Sequence, residues 1–189
     1  KVLPVTLEDI VLCAKLKNGI IVKGESQIPK QVQKLQTEIE EVFLYPENAK
    51  PLEEAIEAIY QADIVILGPG SLYTSVMPNL LFTDIVKALK ESNAIKAYVA
   101  NIMIQPGETD GYGVWRHIQA IIRHMKINTI DYVFVNNERI PQETLKKYVK
   151  DGARPIYLTP KDRKALTKRG IHIVEAPFID IKKHYIRPD

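Results

Sequence analysis

The sequence predicts an α/β fold built on a parallel sheet, because short apolar runs alternate with amphipathic segments from residue 51 onward. Apolar runs of strand length with no polar alternation are typical of strands buried on both faces. Strands that alternate with helices form a parallel sheet through right-handed crossovers, and we expect helices on both faces. The predicted strands are Ile64–Leu67, Ile95–Ala100, Asp131–Val135, Arg154–Leu158 and Ile171–Glu175.

The helices between these strands are predicted from apolar residues at helical spacing and from capping residues. Pro51 stands at the first-turn position that proline tolerates. Thr83 or Asp84 is expected to cap the second helix, and Thr109 or Asp110 the third. Five helices are predicted. The first begins at Pro51 and the second at Thr83 or Asp84, and the other three are Gly111–Lys126, Gln142–Val149 and a helix from Thr159-Pro160 to Gly170.

The first 45 residues are predicted to be richer in β-structure. Apolar runs at Ile10–Leu16 and Ile20–Gly24 flank Asn18-Gly19, and this pattern indicates a β-hairpin with a type I′ turn. A further strand is predicted at Glu38–Leu44, and Val2–Val5 is predicted as a short strand. The hairpin is expected to be an accessory to the main sheet.

Composition excludes several classes of protein. The 189 residues are 46% hydrophobic and carry a net charge of +3, which suits one ordinary domain. The basic residues are spread out rather than gathered in the stripe that nucleic-acid binding requires. The single Cys13 excludes an internal disulfide and a multi-cysteine zinc site. No apolar run approaches the ~20 residues of a membrane span, so we expect no membrane partner. From the spread of basic residues and the single cysteine, we expect no nucleic-acid partner and no metal site.

A glycine-rich loop follows the strand Ile64–Leu67 and is the first candidate ligand site. Ligands of open α/β sheets bind outside the carboxyl ends of the strands, where this loop lies. Backbone N–H and hydroxyl groups of such a loop can bind a phosphate or another anion. The alternative is a tight turn that only redirects the chain, since the standard phosphate motifs are absent. The candidate residues are Gly68, Gly70, Ser71, Thr74 and Ser75.

Three more polar residues are candidates for ligand contact. Asn101 follows the strand Ile95–Ala100 and is expected to face the same crevice. Asn79 follows Pro78 and is either a contact to a base or sugar, or a cap. Asp110 is most simply a helix cap, and its sharper interpretation is a ligand contact or a carboxylate that binds a metal ion.

Several long motifs resemble one known family. GPGSLYTSVMPNLL at 68–81 and NIMIQPGETDGY at 101–112 resemble the gluconeogenesis factor family (YvcK-type), the bacterial branch of the CofD-like superfamily. VLPVTLEDIVL at 2–12 and GESQI at 24–28 fit the same family. Ile104 stands where the family motif commonly has Thr, and Pro188 stands where it often has His, so neither contact is carried over.

The resemblance implies a fold and further site residues. It implies a Rossmann-like three-layer α/β fold, with the hairpin as an addition, in a single domain over residues 1–189. The segments YVKDGARPI and YIRPD add Tyr148 and Arg187 as ligand-binding candidates, the latter as a fork for a diphosphate. Family members begin with a Gly-rich nucleotide-type segment that is not in this sequence, so we expect the chain to be the C-terminal portion of a longer protein.

Three functions remain open at this point. The first, which the resemblance implies, is a cytoplasmic regulatory protein that binds a nucleotide sugar (UDP-sugar), is needed for gluconeogenic growth and cell shape, and catalyses no reaction. A homo-oligomer is one expectation for its assembly. The second is a CofD-like transferase that moves a phospholactyl-type group from a nucleotide-activated donor with Mg²⁺, for which Asp110 is the one local catalytic candidate. The third is a structural half-domain whose site belongs to another segment. We favour the first.

Overall fold

The computed structural model describes residues 2–126, 128–182 and 185–188, with side chains described as far as residue 179. The strands are β1 (Val11–Leu16), β2 (Ile21–Lys23), β3 (Ile39–Tyr45), β4 (Ile64–Leu67), β5 (Ile95–Val99), β6 (Tyr132–Asn136), β7 (His172–Ala176), β8 (Ile179–Lys182) and β9 (Tyr185–Pro188). The α-helices are α1 (Ile28–Leu35), α2 (Glu53–Gln61), α3 (Thr83–Glu91), α4 (Val114–Met125), α5 (Gln142–Lys150) and α6 (Pro160–Lys168). A π-helical turn, Leu72–Val76, and a 3₁₀ turn, Met77–Leu80, precede α3.

The strands form one parallel sheet and two antiparallel units, which confirms the α/β class. The parallel sheet has the order β4-β5-β6-β7, and the antiparallel sheet has the order β2-β1-β3. Helix α4 connects β5 to β6 and also touches β3, where the Val42 N–H donates to His124 Nε2 at 3.2 Å. This helix therefore lies between the two sheets, and its buried residues include Val114, Ile118 and Ile121.

The two faces of the parallel sheet differ. Because the four strands follow one another in chain order, right-handed crossovers place the connecting helices on one face. On the opposite face of the edge strand, Ile64 and Ile66 are 54% and 59% exposed, and the paired Ile95 is 42% exposed. The expectation that Ile64–Leu67 is buried on both faces is wrong, because Ile64 and Ile66 are more than half exposed.

The N-terminal hairpin is confirmed, although its turn differs from the expected type. Lys15 pairs with Ile21, the Leu16 N–H donates to Ile20 O at 2.9 Å, and of the two turn residues only Gly19 has a positive φ, at +84°. A three-residue loop with one left-handed residue fits this geometry better than a type I′ turn, which needs two.

Several other predicted boundaries need correction. Residues 2–5 and 154–158 form no strand, and the second of these segments contributes only an isolated bridge between Met103 and Pro155. Helix α1 and the hairpin β8-β9 were not predicted. Phe82, not Thr83 or Asp84, is the N-cap of α3, and Gly113 is the N-cap of α4. Thr159 and Asp162 form a capping box at α6, as expected for a helix that begins at Thr159-Pro160.

Candidate functional site

A cavity of about 640 Å³ opens at the carboxyl ends of β4, β5 and β6. Such a volume is within the range of small-molecule sites, and its place in the sheet is the one where α/β proteins bind ligands. Most of its walls are apolar. The lining residues are Ile66, Gly68, Pro69, Gly70, Ser71, Val99, Ala100, Asn101, Ile102, Met103, Phe134, Asn136, Tyr148 and Phe178.

Two loops form the upper wall of this cavity. We call residues 68–75 the glycine loop and residues 101–112 the polar loop. Gly68 has φ +85°, and a Cβ atom there would lie 3.1 Å from Val99 O, so the turn after β4 depends on a residue without a side chain. The glycine loop then enters the π-helical turn, whose Tyr73 and Thr74 are buried.

Side chains of the polar loop hold the glycine loop at three successive points. Asn101 Nδ2 donates to Gly70 O at 2.9 Å, and the Ser71 hydroxyl donates to Gln105 Oε1. These contacts fix the shape of the turn that lines the cavity.

The third point is Glu108, which is only 4% exposed. Its carboxylate accepts the Tyr73 N–H at 3.1 Å and the Thr74 hydroxyl at 2.9 Å. Burial raises the pKa of this carboxyl above its usual range, although these two hydrogen bonds oppose the shift. A side chain of the protein therefore accepts the N–H of Tyr73, the second residue of the π-helical turn.

The polar loop is itself anchored to α1. Gly107 has φ +82°, and a Cβ atom there would lie 2.3 Å from Pro29 O. The Gly107 N–H donates to Asp110 Oδ2 at 2.7 Å, and the Gln105 N–H donates to Thr109 Oγ1 at 2.8 Å. Thr109 and Asp110 thus stabilise this loop and do not cap α4. Helix α4 begins later, at Val114, and the carboxylate that accepts an N–H of its first turn belongs to Asp162 of α6, with a distance of 3.1 Å to Trp115 N.

The structure brings half of the candidate residues to the cavity. Gly68, Gly70, Ser71, Asn101 and Tyr148 line it.

The remaining candidates lie elsewhere or beyond the described side chains. Thr74 is buried against Glu108, and Ser75 and Asn79 are exposed and joined by the Asn79 Nδ2 bond to Ser75 O. Asp110 is exposed outside the cavity lining. Arg187 belongs to β9, and its side chain is outside the part that the structure describes.

Several residues of the site were not singled out from the sequence, and two polar ones are instructive. Asn136, at the end of β6, lines the cavity, and Asn136 Oδ1 accepts the Phe178 N–H at 3.0 Å. Glu108 is the other, and the QPGETD motif gave no sign that its glutamate points inward. The position of Asn136 after a predicted strand was a usable signal, as it was for Asn101.

His117 and His124 of α4 contact carbonyl groups of their own helix region. His124 Nδ1 contacts Ala120 O at 2.8 Å and His117 Nδ1 contacts Gly113 O at 2.9 Å. Burial lowers the pKa of both imidazoles. Within the described residues, no group of three or more His, Cys, Asp or Glu side chains is placed to hold a metal ion, and no helix has the length and apolarity to cross a membrane.

The fold and the cavity define an α/β protein with a ligand site at the carboxyl ends of its parallel strands. A sequence model of the family described as "2-phospho-L-lactate transferase CofD" matches residues 1–179. The chain belongs to this family.

Relatives within the family confirm the resemblance seen in the sequence. The chain is 41% identical over 189 residues to the gluconeogenesis factor of Bacillus subtilis, covering 57% of that protein, and 43% identical over 188 residues to that of Halalkalibacterium halodurans, covering 56% of it. A crystal structure of a member of the upf0052 family from Bacillus halodurans is similar over the whole chain and 59% of its own length, with a TM-score of 0.92 and 41% identity. The chain therefore spans little more than half the length of these relatives.

Proposed function

We propose that this chain provides part of the nucleotide-sugar site of a cytoplasmic regulatory protein that supports gluconeogenic growth and cell-wall homeostasis, including cell shape. The observation that carries the proposal is the cavity at the strand ends, whose lining includes Gly68, Gly70, Ser71, Asn101 and Tyr148. The similarity to gluconeogenesis factors supports the physiological part. UDP-sugars are the proposed ligands, and Arg187 is the proposed diphosphate contact.

Binding without turnover is proposed because the cavity lacks the parts of a catalytic pair. The described residues that line it include no Asp, Glu, His, Lys or Cys, so none of these side chains stands in the lining to activate the hydroxyl groups of Ser71 and Tyr148. Ser71, the one hydroxyl on the glycine loop that lines the cavity, donates to Gln105 rather than to a base.

The test is calorimetric titration of the full-length protein with UDP-N-acetylglucosamine, with and without Mg²⁺, followed by product analysis. We expect saturable binding, no dependence on the metal and unchanged ligand. Arg187→Ala should weaken binding by roughly 1.5–3 kcal/mol if Arg187 makes a charged hydrogen bond to the ligand. The matched control is Arg163→Ala, since Arg163 lies on α6 and pairs with Glu175. Absence of binding would overturn the proposal.

A CofD-like transferase is the second candidate, because the family that matches residues 1–179 is described by that activity. The activity would need carboxylates for Mg²⁺, and the described residues do not provide them. Asp110 is the local candidate, but its Oδ2 accepts the Gly107 N–H, and no group of three or more metal-binding side chains includes it in the part of the chain that the structure describes. Metal-dependent consumption of a nucleotide-activated donor, lost in Asp110→Asn, would establish this function instead.

Homo-oligomerisation stays a prediction. Light scattering of the full-length protein over a hundredfold range of concentration tests it. A mass that stays at the monomer value would contradict the prediction.

A further inference from the structure

We propose that the cavity takes an uncharged part of the bound molecule, a ring that carries an N–H or O–H donor, and that the phosphates of the ligand lie outside it. This inference rests on the proposed function and assigns the part of a nucleotide sugar that this chain recognises. It also changes the role of the glycine loop, for which the sequence predicted binding of a phosphate or another anion.

The first argument is that the protein itself uses three hydrogen-bond donors of the glycine loop that could otherwise bind an anion. The Tyr73 N–H and the Thr74 hydroxyl donate to the buried Glu108 carboxylate, and the Ser71 hydroxyl donates to Gln105. A phosphate at this turn would compete with Glu108 for the same donors. It would also stand close to a second negative charge in a poorly hydrated place, which is unfavourable.

The second argument is the chemistry of the walls. No lysine, arginine or histidine is among the described residues that line the cavity, and Ile66, Val99, Met103, Phe134 and Phe178 make its surface largely apolar. Transfer of a diphosphate into such surroundings without a cation costs far more than transfer of a neutral ring. Apolar walls with a few polar groups are typical of sites for uncharged ring systems.

The third argument is an acceptor that has no donor. Asn101 Oδ1 is buried and has no hydrogen-bond partner among the described residues, whereas its Nδ2 donates to Gly70 O. The backbone carbonyl accepts only, so this bond also fixes which way the amide faces. The doubly esterified diphosphate of a nucleotide sugar offers acceptors and no donor at neutral pH, and therefore cannot satisfy Oδ1.

Comparison with Asn136 supports this use of Asn101. Asn136 Nδ2 donates to Glu138 O at 2.8 Å, and its Oδ1 accepts the Phe178 N–H, so both ends of that amide have partners within the protein. Among the described residues that line the cavity, Asn101 is the amide whose acceptor has no partner. A uracil N–H or a sugar hydroxyl would each supply the missing donor, and the two come from opposite ends of a UDP-sugar.

The experiment follows the Asn101 side-chain NH₂ signals of ¹⁵N-labelled full-length protein during separate titrations with uridine, N-acetylglucosamine and inorganic pyrophosphate. We expect one of the two neutral probes to shift these signals and pyrophosphate to leave them in place. The neutral probe that acts identifies the base or the sugar as the occupant. A shift caused by pyrophosphate, or no shift with either neutral probe, overturns the inference.

Variants provide a second measurement. Asn101→Leu should weaken binding of UDP-N-acetylglucosamine about 3- to 10-fold, the range of one neutral hydrogen bond. Asn79→Leu removes an exposed amide away from the cavity and is the matched control, expected to change affinity less than twofold. Equal affinities of the two variants would contradict the inference.

Failure of the inference is distinguishable from failure of the proposed function. If UDP-N-acetylglucosamine does not bind while a neutral probe shifts the Asn101 signals, the nucleotide-sugar function is wrong and the uncharged cavity stands. If UDP-N-acetylglucosamine binds and pyrophosphate moves the Asn101 signals, the function stands and the uncharged cavity is wrong.

Discussion

The glycine loop and the polar loop differ in what each contributes to the same wall of the cavity. The glycine loop supplies backbone and small side chains, whereas the polar loop supplies Asn101, Gln105 and Glu108, which hold that backbone in place. The loop that looks like a ligand-binding motif is thus shaped by the loop that follows the next strand. Substitutions in the polar loop should therefore disturb the site more than conservative changes in the glycine loop.

The largest effect is expected at Gly107. Gly107→Ala places a Cβ atom 2.3 Å from Pro29 O at a φ of +82°, so it combines a backbone clash with a left-handed conformation. We expect a loss of about 3 kcal/mol or more in the free energy of unfolding, measured by urea denaturation. Gly111→Ala is the control, since its φ is +69° but no atom lies within 4 Å, and it should cost only about 1–2 kcal/mol. Equal losses would show that the contact with Pro29 is unimportant.

Glu108 should come next. Glu108→Ala leaves the Tyr73 N–H and the Thr74 hydroxyl buried without an acceptor, at a cost of about 2–4 kcal/mol. Glu108→Gln keeps one oxygen acceptor and should cost less than Glu108→Ala. Urea denaturation of Glu108→Ala, Thr74→Val and the double variant gives the coupling between the two side chains. Additive losses would mean that their hydrogen bond contributes nothing.

The same carboxylate predicts a pH dependence. Because burial raises the pKa of Glu108 in the folded state above its ordinary value of 4.5, the folded protein holds this proton more tightly than the unfolded chain. Stability from this group is therefore fully present below pH 4.5 and falls as the pH rises through the raised pKa. Denaturation curves between pH 4 and 8 should show this decline in the wild type and a weaker decline in Glu108→Gln. Parallel curves for the two proteins would contradict it.

The smallest effect is expected at Asp110. Asp110→Ala removes the acceptor of the Gly107 N–H at an exposed position, so the free energy of unfolding should fall by only about 0.5–1.5 kcal/mol. Asp110→Asn retains a carbonyl oxygen and should be closer to wild type. A loss in Asp110→Ala as large as that of Gly107→Ala would show that this short hydrogen bond, rather than the contact with Pro29, anchors the polar loop.

Elements with strong local signals were predictable from the sequence. The Asn18-Gly19 hairpin, the helix at Gln142–Val149 and the helix that begins at Thr159-Pro160 each have a pattern that a few neighbouring residues determine. The start of α4 was missed because Asp162, whose carboxylate accepts the Trp115 N–H in the first turn of this helix, lies 47 residues further along the chain. Helix α1 was missed because no apolar stripe was recognised between Gly24 and Glu38.

The cavity was predictable in its place but not in its chemistry. Its position follows from the rule for strand ends, which correctly indicated Gly68 and Asn101 as lining residues. The partner of the Thr74 hydroxyl was not predictable, because Glu108 reaches it from 34 residues away. Contacts between loops that are distant in the sequence determine which polar groups are left without a partner in the protein and can therefore bind a ligand. Local sequence patterns do not predict such contacts.

The open face of the parallel sheet has a consequence for handling this polypeptide. Ile64, Ile66 and Ile95 form an apolar strip on that face, and β4 is an edge strand of the described sheet, with main-chain groups on its outer side unpaired. Strips of this kind, next to a bare strand edge, favour aggregation by strand addition. The chain on its own should therefore aggregate as its concentration rises, and charged residues at Ile64 and Ile66 should suppress that aggregation.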